Sequence, residues 1–159
     1  RSKFFGLIVG DVVLVEKVHG SNFQFCVTIN PNEDEDEYDI KIGKRTDFLT
    51  DKDAKKFYGA YDVKMKYIDR ITNLCSKIYE KSSQDKTEPI VIIIYGELYG
   101  GHYNHVIEGV CVQRGVDYCP TNEFICFDIS VNGEFFLWDE LKNMMNQNLF
   151  ELLKYYCYK

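Results

Sequence analysis

Six consecutive apolar residues, Ile90-Val91-Ile92-Ile93-Ile94-Tyr95, stand between Pro89 and Gly96. A run this short, rich in β-branched side chains and closed at both ends by helix breakers, reads as a central strand buried on both faces. A strand of that kind needs neighbours, and the chain supplies them. Residues 23–29 and 124–129 alternate apolar and polar with period two. Residues 38–42 read as a strand returning after Pro31 and the acidic loop 33–37, and Asn132-Gly133 marks a tight turn into residues 134–137. Val12-Val13-Leu14-Val15 is a further β-branched run, preceded by an apolar lead-in at residues 4–9.

Between these strands the period changes. From residue 55 to 79, Val63, Tyr67, Ile71, Leu74 and Ile78 recur in steps of three and four, which predicts a long helix or a pair of helices laid across the sheet with its basic side outward. Residues 82–88 form a polar linker. Residues 138–146 and 148–156 read as two more helical segments, and Leu149, Leu152, Leu153 and Tyr156 give the second an apolar face that closes the core or meets another domain. The sum is an α+β fold, a mostly antiparallel twisted sheet flanked by helices, with a core over residues 11–137 and C-terminal helices over 138–157.

Composition narrows the function classes. A chain of 159 residues that is 45% hydrophobic and 15% aromatic has material for one packed core and is not a disordered segment. No apolar run approaches the roughly 20 residues a bilayer requires, and no secretory leader pattern opens the chain. A soluble, intracellular protein without a membrane partner is expected. Cys26, Cys75, Cys111, Cys119, Cys126 and Cys157 form no C-x-x-C pair and read as reduced and mostly buried. The spacing of Cys111, Cys119 and Cys126 matches no zinc pattern, and His102 and His105, lacking an obvious third ligand, read as loop residues.

The net charge of −6 argues against nucleic acid until it is divided along the chain. Residues 41–70 hold nine Lys or Arg against five Asp or Glu, a local surplus of four positive charges. A basic face of this kind can hold a phosphate backbone on an acidic protein.

The strand at 12–15 leads into Glu16-Lys17-Val18-His19-Gly20-Ser21-Asn22-Phe23, which places a lysine at a strand end with a glycine three residues on. An amine there is a candidate nucleophile. Lysine must lose its proton to attack, and near its ordinary pKa only about one in a few thousand is neutral at pH 7, so desolvation, a nearby cation or a metal must assist.

This eight-residue string closely resembles the nucleotidyl-transferase motif of the RNA ligase 2 family, which includes a phage nick-sealing RNA ligase and the trypanosomal RNA-editing ligases. Further strings follow in the family's order. Lys44-Arg45-Thr46 resembles its arginine element, Gly96-Glu97-Leu98-Tyr99-Gly100 its G-E-hydrophobic-aromatic-G element, Val112 through Tyr118 its V-Q-x-G-hydrophobic-x-Y run, and Phe124-Ile125-Cys126-Phe127-Asp128-Ile129 its aromatic element. The resemblance implies an adenylyltransferase domain of the covalent nucleotidyl transferase superfamily. It implies an ATP-dependent RNA ligase that joins RNA 3′-OH and 5′-phosphate ends through a lysyl-AMP intermediate, with Mg²⁺.

By the same resemblance Lys17 is the nucleophile, and Glu16, Val18, Asn22, Arg45, Glu97 and Phe127 belong to the nucleotide site. Asn22 supports the lysine–metal geometry indirectly, Phe127 stacks on adenine, and Arg45 and Asp128 serve the RNA end. Regular alternation would send Phe127 and Asp128 to opposite faces unless the strand ends or bulges there.

Two elements of the family are not found after Phe127: an E-G-hydrophobic-hydrophobic strand that holds metal, and a K-x-K strand that grips phosphate. Glu108-Gly109-Val110 resembles the first but precedes Phe127, which makes it a decoy. The chain is therefore expected to be an incomplete domain, with a partner domain or protein possible at the C-terminal helices. Two alternatives remain open: a truncated nucleotide- or RNA-binding module without independent catalysis, and a sister DNA ligase or mRNA capping nucleotidyl transferase.

Overall fold

A computed structural model describes residues 12–15, 17–31, 37–82, 88–147 and 155–158. In chain order the elements are β1 (Val12–Val15), β2 (Ser21–Asn30), β3 (Glu37–Gly43), β4 (Phe48–Leu49), α1 (Asp51–Ala54), α2 (Ala60–Lys81), β5 (Ile90–His102), β6 (Cys119–Val131), β7 (Glu134–Phe135), α3 (Trp138–Gln147) and β8 (Tyr155–Tyr158). The fold is α+β. Strands β4-β3-β2-β5-β6-β7 form a six-stranded sheet in that order, every pairing antiparallel. β1 and β8 make a separate two-stranded antiparallel sheet.

Period-two alternation decides what the large sheet does with its faces. Phe23, Phe25, Val27 and Ile29 of β2, and Ile90, Ile92, Ile94 and Leu98 of β5, are all at 0% exposure. Against them lies α2, whose Val63, Tyr67, Ile71, Leu74 and Ile78 are buried as the helical stripe requires. Phe23, Phe25 and Phe124 meet edge-on with centroids 5.1–5.8 Å apart, and Tyr67 joins Phe124 at 6.0 Å. Burying each such ring contributes about 2–3 kcal/mol. Gly96 keeps this knot closed, since a Cβ there would enter the Phe124 ring and the Ile125 carbonyl.

The run at 90–95 is buried on one face rather than two. Val91, Ile93 and Tyr95 are only half-buried, alternating with the fully buried residues between them. Its partners are both antiparallel and a helix covers only one face, so the apolar run reflects the central place of β5 and not a second helical layer.

Two further expectations are corrected. Residues 155–158 form a strand and not the end of a helix, because their aromatic, strand-favouring backbone completes the ladder of β1. And β1 does not extend the large sheet, so Lys17 opens the connection between two sheets. The turn at Asn132-Gly133 is as expected, with φ of +50° and +87° closing Val131 onto Glu134. Glu16, the lead-in at residues 4–9, the acidic residues 33–36, the linker at 83–87, and Leu149, Leu152 and Leu153 lie outside the described residues. Among the described residues no helix is long and apolar enough to cross a membrane.

Candidate functional site

The register of the large sheet lines up its second face in rows. Asn22, Glu97 and Ile125 are direct partners across β2, β5 and β6. In the next row stand Gly43, Gln24, Tyr95 and Asp128. Directly paired side chains stand about 4.5–5.5 Å apart at Cβ, so an amide and a carboxylate become neighbours at Asn22 and Glu97. All of these side chains alternate with core residues, which sets them on the face away from α2, and those of Asn22, Gln24, Tyr95, Glu97, Ile125 and Asp128 are half-buried.

Three connections leave the sheet at one end: residues 17–20 before β2, the turn 44–47 after β3, and the long loop 103–118 between β5 and β6. The first carries Lys17, which is exposed. Its backbone is tied to the row below, because the Gly20 N–H donates to Glu97 Oε1 at 3.1 Å. Gly20 is required for that approach: a Cβ would collide with the Leu98 carbonyl oxygen and lie 2.9 Å from Glu97 Cγ. Partial burial pushes the Glu97 carboxyl above its ordinary range, a rise opposed by the Gly20 bond and by the positive charges of Lys17 and His19. The carboxylate is thus electrostatically within reach of Lys17.

Phe127 and Asp128 are brought to one face by a β-bulge. Tyr95 pairs with Asp128 and Gly96 with Cys126, which leaves Phe127 without a ladder partner. The core residues of β6 record the slip: Phe124, Cys126 and Ile129 are buried at 1%, 0% and 0%, two residues apart and then three. Counting outward from either side puts both Phe127 and Asp128 on the face of Asn22 and Glu97. The condition under which these two residues share a site is met. Asp128 accepts from the Ile129 N–H at 2.9 Å, and burial raises its carboxyl more than that bond lowers it.

Arg45 sits in the turn closed by the Lys44 N–H on the Asp47 carbonyl, 2.9 Å, and is exposed. It forms no ion pair with a carboxylate among the described residues, whereas Lys44 pairs with Asp47 at 3.5 Å. Three other lysines of the basic window are likewise partnered. Lys41 bonds Asp39 at 2.7 Å, Lys64 bonds Asp51 at 3.3 Å, and Lys66 bonds Glu123. Among the described residues Arg45, Lys52, Lys55, Lys56 and Arg70 of the window form no ion pair with a carboxylate, and Lys55 and Arg70 lie instead over the rings of Tyr61 and Tyr67.

Gln24 and Glu123 carry no motif signal, and Tyr118, though it ends the string at residues 112–118, has no role assigned from it. Gln24 lies in the row with Tyr95 and Asp128, its amide filling the space above Gly43, where a Cβ would come within 3.0 Å of Nε2. Glu123 is held by Lys66, by Tyr67 Oη at 2.8 Å and by Thr121 Oγ1 at 2.7 Å, and though burial raises it, these bonds bring it below the ordinary range. Tyr118 Oη accepts from the His19 N–H at 2.9 Å. Glu97 is found in the sequence by the glycines around it, whereas the bond of Tyr118 to a partner 99 residues away is not. His102 Nδ1 meets Asp117 at 2.6 Å within the loop, and Glu108-Gly109-Val110 lies in that loop outside the sheet. Cys26, Cys75, Cys111, Cys119 and Cys126 are free thiols.

Chemically, this face offers two carboxylates, two amides and the aromatic rings of Tyr95 and Phe127, rimmed at one end by exposed cations. An antiparallel α+β sheet with one face packed on a helix and the other arranged so is consistent with a nucleotidyltransferase-type ligase domain. The family model described as RNA ligase matches residues 10–157, nearly the whole chain, and the chain belongs to the RNA ligase family. Comparison with curated proteins returns no match.

Proposed function

We propose that this chain is an ATP-dependent RNA ligase of the RNA ligase 2 type, working through a lysyl-AMP intermediate. The observation that carries the reading is the tether between the lysine loop and Glu97, on a sheet face that also bears Asn22, Phe127 and Asp128. In the first transfer the neutral Nζ of Lys17 attacks the α-phosphorus of ATP; an N–P bond forms, the P–O bond to the β-phosphate breaks, and pyrophosphate leaves. In the second, a 5′-phosphate oxygen of RNA takes the adenylyl group and Lys17 recovers its amine. In the third, an RNA 3′-OH attacks that 5′-phosphorus, loses its proton, and AMP departs.

Glu97 and Arg45 serve as ribose or phosphate contacts, Phe127 stacks on the adenine, and Asp128 acts at the RNA end. Glu16 and Val18 flank the nucleophile in this assignment. The oxygen donors Asn22, Glu97 and Asp128 are of the hard type that suits Mg²⁺. No group of three metal-ligating side chains is present among the described residues. One or two protein oxygens, with nucleotide phosphates and water, match how Mg²⁺ is ordinarily bound, and its chemistry there would be to neutralise phosphate charge.

Intact mass after incubation with ATP and Mg²⁺ tests the reading, with peptide mapping and Lys17→Ala alongside. An AMP adduct at Lys17 is expected. ATP binding without an adduct would replace it with a nucleotide-binding module that does no chemistry alone. Preference for a DNA 5′-phosphate or for GTP in a substrate panel would move the chain to a sister DNA ligase or capping enzyme.

A further inference from the structure

Two adjacent backbone N–H groups leave the lysine loop in different directions. That of Gly20 reaches Glu97 on β5, and that of His19 reaches Tyr118 at the end of the β5–β6 loop, at 3.1 and 2.9 Å. Lys17 and His19 are exposed, and only Val18 and Gly20 between and beside them are half-buried. The two bonds act as its tethers.

Tyr118 is itself fixed. Its ring meets Tyr99 edge-on at 5.6 Å, and Cys119 beside it is already paired with His102 at the start of β6. On its other side Asp117 bonds His102 Nδ1 at 2.6 Å and accepts from the Asn104 N–H at 3.3 Å. Earlier in the loop three residues are pinned to the strands. The Val112 N–H donates to Gly100 and the Glu108 N–H to Pro120, at 3.2 and 3.0 Å, while Asn122 bonds both backbone groups of Val110 at 2.8 Å. A side chain on so constrained a loop presents its oxygen at a defined point.

We infer that Tyr118 is a positioning residue, whose phenolic oxygen sets the backbone of residues 18–19 and thereby the reach of Lys17 toward its electrophile. This rests on the ligase reading, in which Lys17 is the nucleophile. With one tether the peptide planes of Val18 and His19 can rotate about Gly20, and Lys17 Nζ spreads over positions from which attack is misaligned. A misplaced nucleophile slows chemistry more than it weakens substrate binding.

Tyr118→Phe isolates the effect, because the ring and its contact with Tyr99 remain and only the acceptor oxygen is lost. Single-turnover adenylylation at saturating ATP should slow about three- to tenfold, the worth of one net hydrogen bond, while the ATP concentration for half-saturation stays within about twofold. Hydrogen exchange at the His19 amide should accelerate by a similar factor. An unchanged rate in Tyr118→Phe, with adduct formed by the wild type, would overturn the inference and leave the ligase reading intact. Unchanged exchange at His19 would overturn it independently of any activity. A wild type that forms no adduct would sink the ligase reading, and the exchange comparison would still decide whether Tyr118 holds the loop.

Discussion

The two faces of the six-stranded sheet are built from the same strands and differ in almost everything else. Toward α2, Phe23, Phe25, Ile92, Ile94, Leu98 and Phe124 are sealed from water at 0–1% exposure. Away from it, Asn22, Gln24, Tyr95, Glu97, Phe127 and Asp128 are half-buried, and both carboxylates have raised pKa values. One residue along a strand separates the side chains that hold the fold from those available to a ligand. Such a sheet can change its chemistry with little loss of stability, because the free energy of folding resides on the other face.

Lys17→Ala is the largest expected effect, and it tests the ligand-facing side without touching the core. Adduct formation should fall at least about a thousandfold, below detection by intact mass, since no other group replaces the nucleophile. The unfolding free energy should stay within about 0.5 kcal/mol, because Lys17 is exposed.

The pair Phe124→Ala and Phe127→Ala sharpens the contrast within one strand. Phe124→Ala should cost about 3–5 kcal/mol in denaturant unfolding, as loss of a fully buried ring does. Phe127→Ala should cost about 1 kcal/mol or less and instead weaken ATP binding about tenfold, the scale of base–aromatic stacking. Equal losses of stability would break the assignment of faces made from the bulge.

Gly20→Ala lies between. Forcing a Cβ against the Leu98 carbonyl should cost about 1–3 kcal/mol and slow adduct formation about tenfold, read by unfolding and by single-turnover rates. Relief of the collision without loss of rate would show that the loop does not need its tether to Glu97.

The smallest effects are in pH dependence, and their signs are opposite. Glu97 has a folded pKa raised by burial, so its contribution to stability is present below the unfolded value and is lost as pH rises through the raised one. Glu123, depressed because its bonds to Lys66, Thr121 and Tyr67 outweigh burial, contributes stability above the unfolded value and loses it as pH falls through the folded one. Unfolding midpoints followed across the carboxylate range should show Glu97→Gln removing a decline on the alkaline side and Glu123→Gln removing one on the acid side. The same sign for both would mean that one of the two environments is wrongly described.

Strands and helices were legible because their signals are local. The alternation at 23–29, the helical stripe from Val63 to Ile78 and the Asn132-Gly133 turn each depend on neighbours a few residues away, and each is present. The motif strings were legible as short local strings resembling those of a family; Lys17 and Arg45 stand in connections beside strands, whereas Glu97, expected at a strand end, lies within β5, which continues to His102. The apolar run at 90–95 misled because burial on two faces and a central place in a one-sided sheet leave the same composition. The segment ending at Tyr156 misled because leucines at helical spacing precede residues that pair instead with β1.

By itself, the sequence determined which residues could be core and which could be chemistry, since side-chain type and spacing settle how a strand or helix partitions between water and interior. Only the tertiary structure decided how those residues meet. The bulge at Phe127 is a property of the ladder between β5 and β6, the Asn22–Glu97 pairing a property of register between β2 and β5, and the bond from His19 to Tyr118 a contact across 99 residues. Each depends on the relative placement of separate segments, which packing on α2 selects and which no single stretch of the chain encodes.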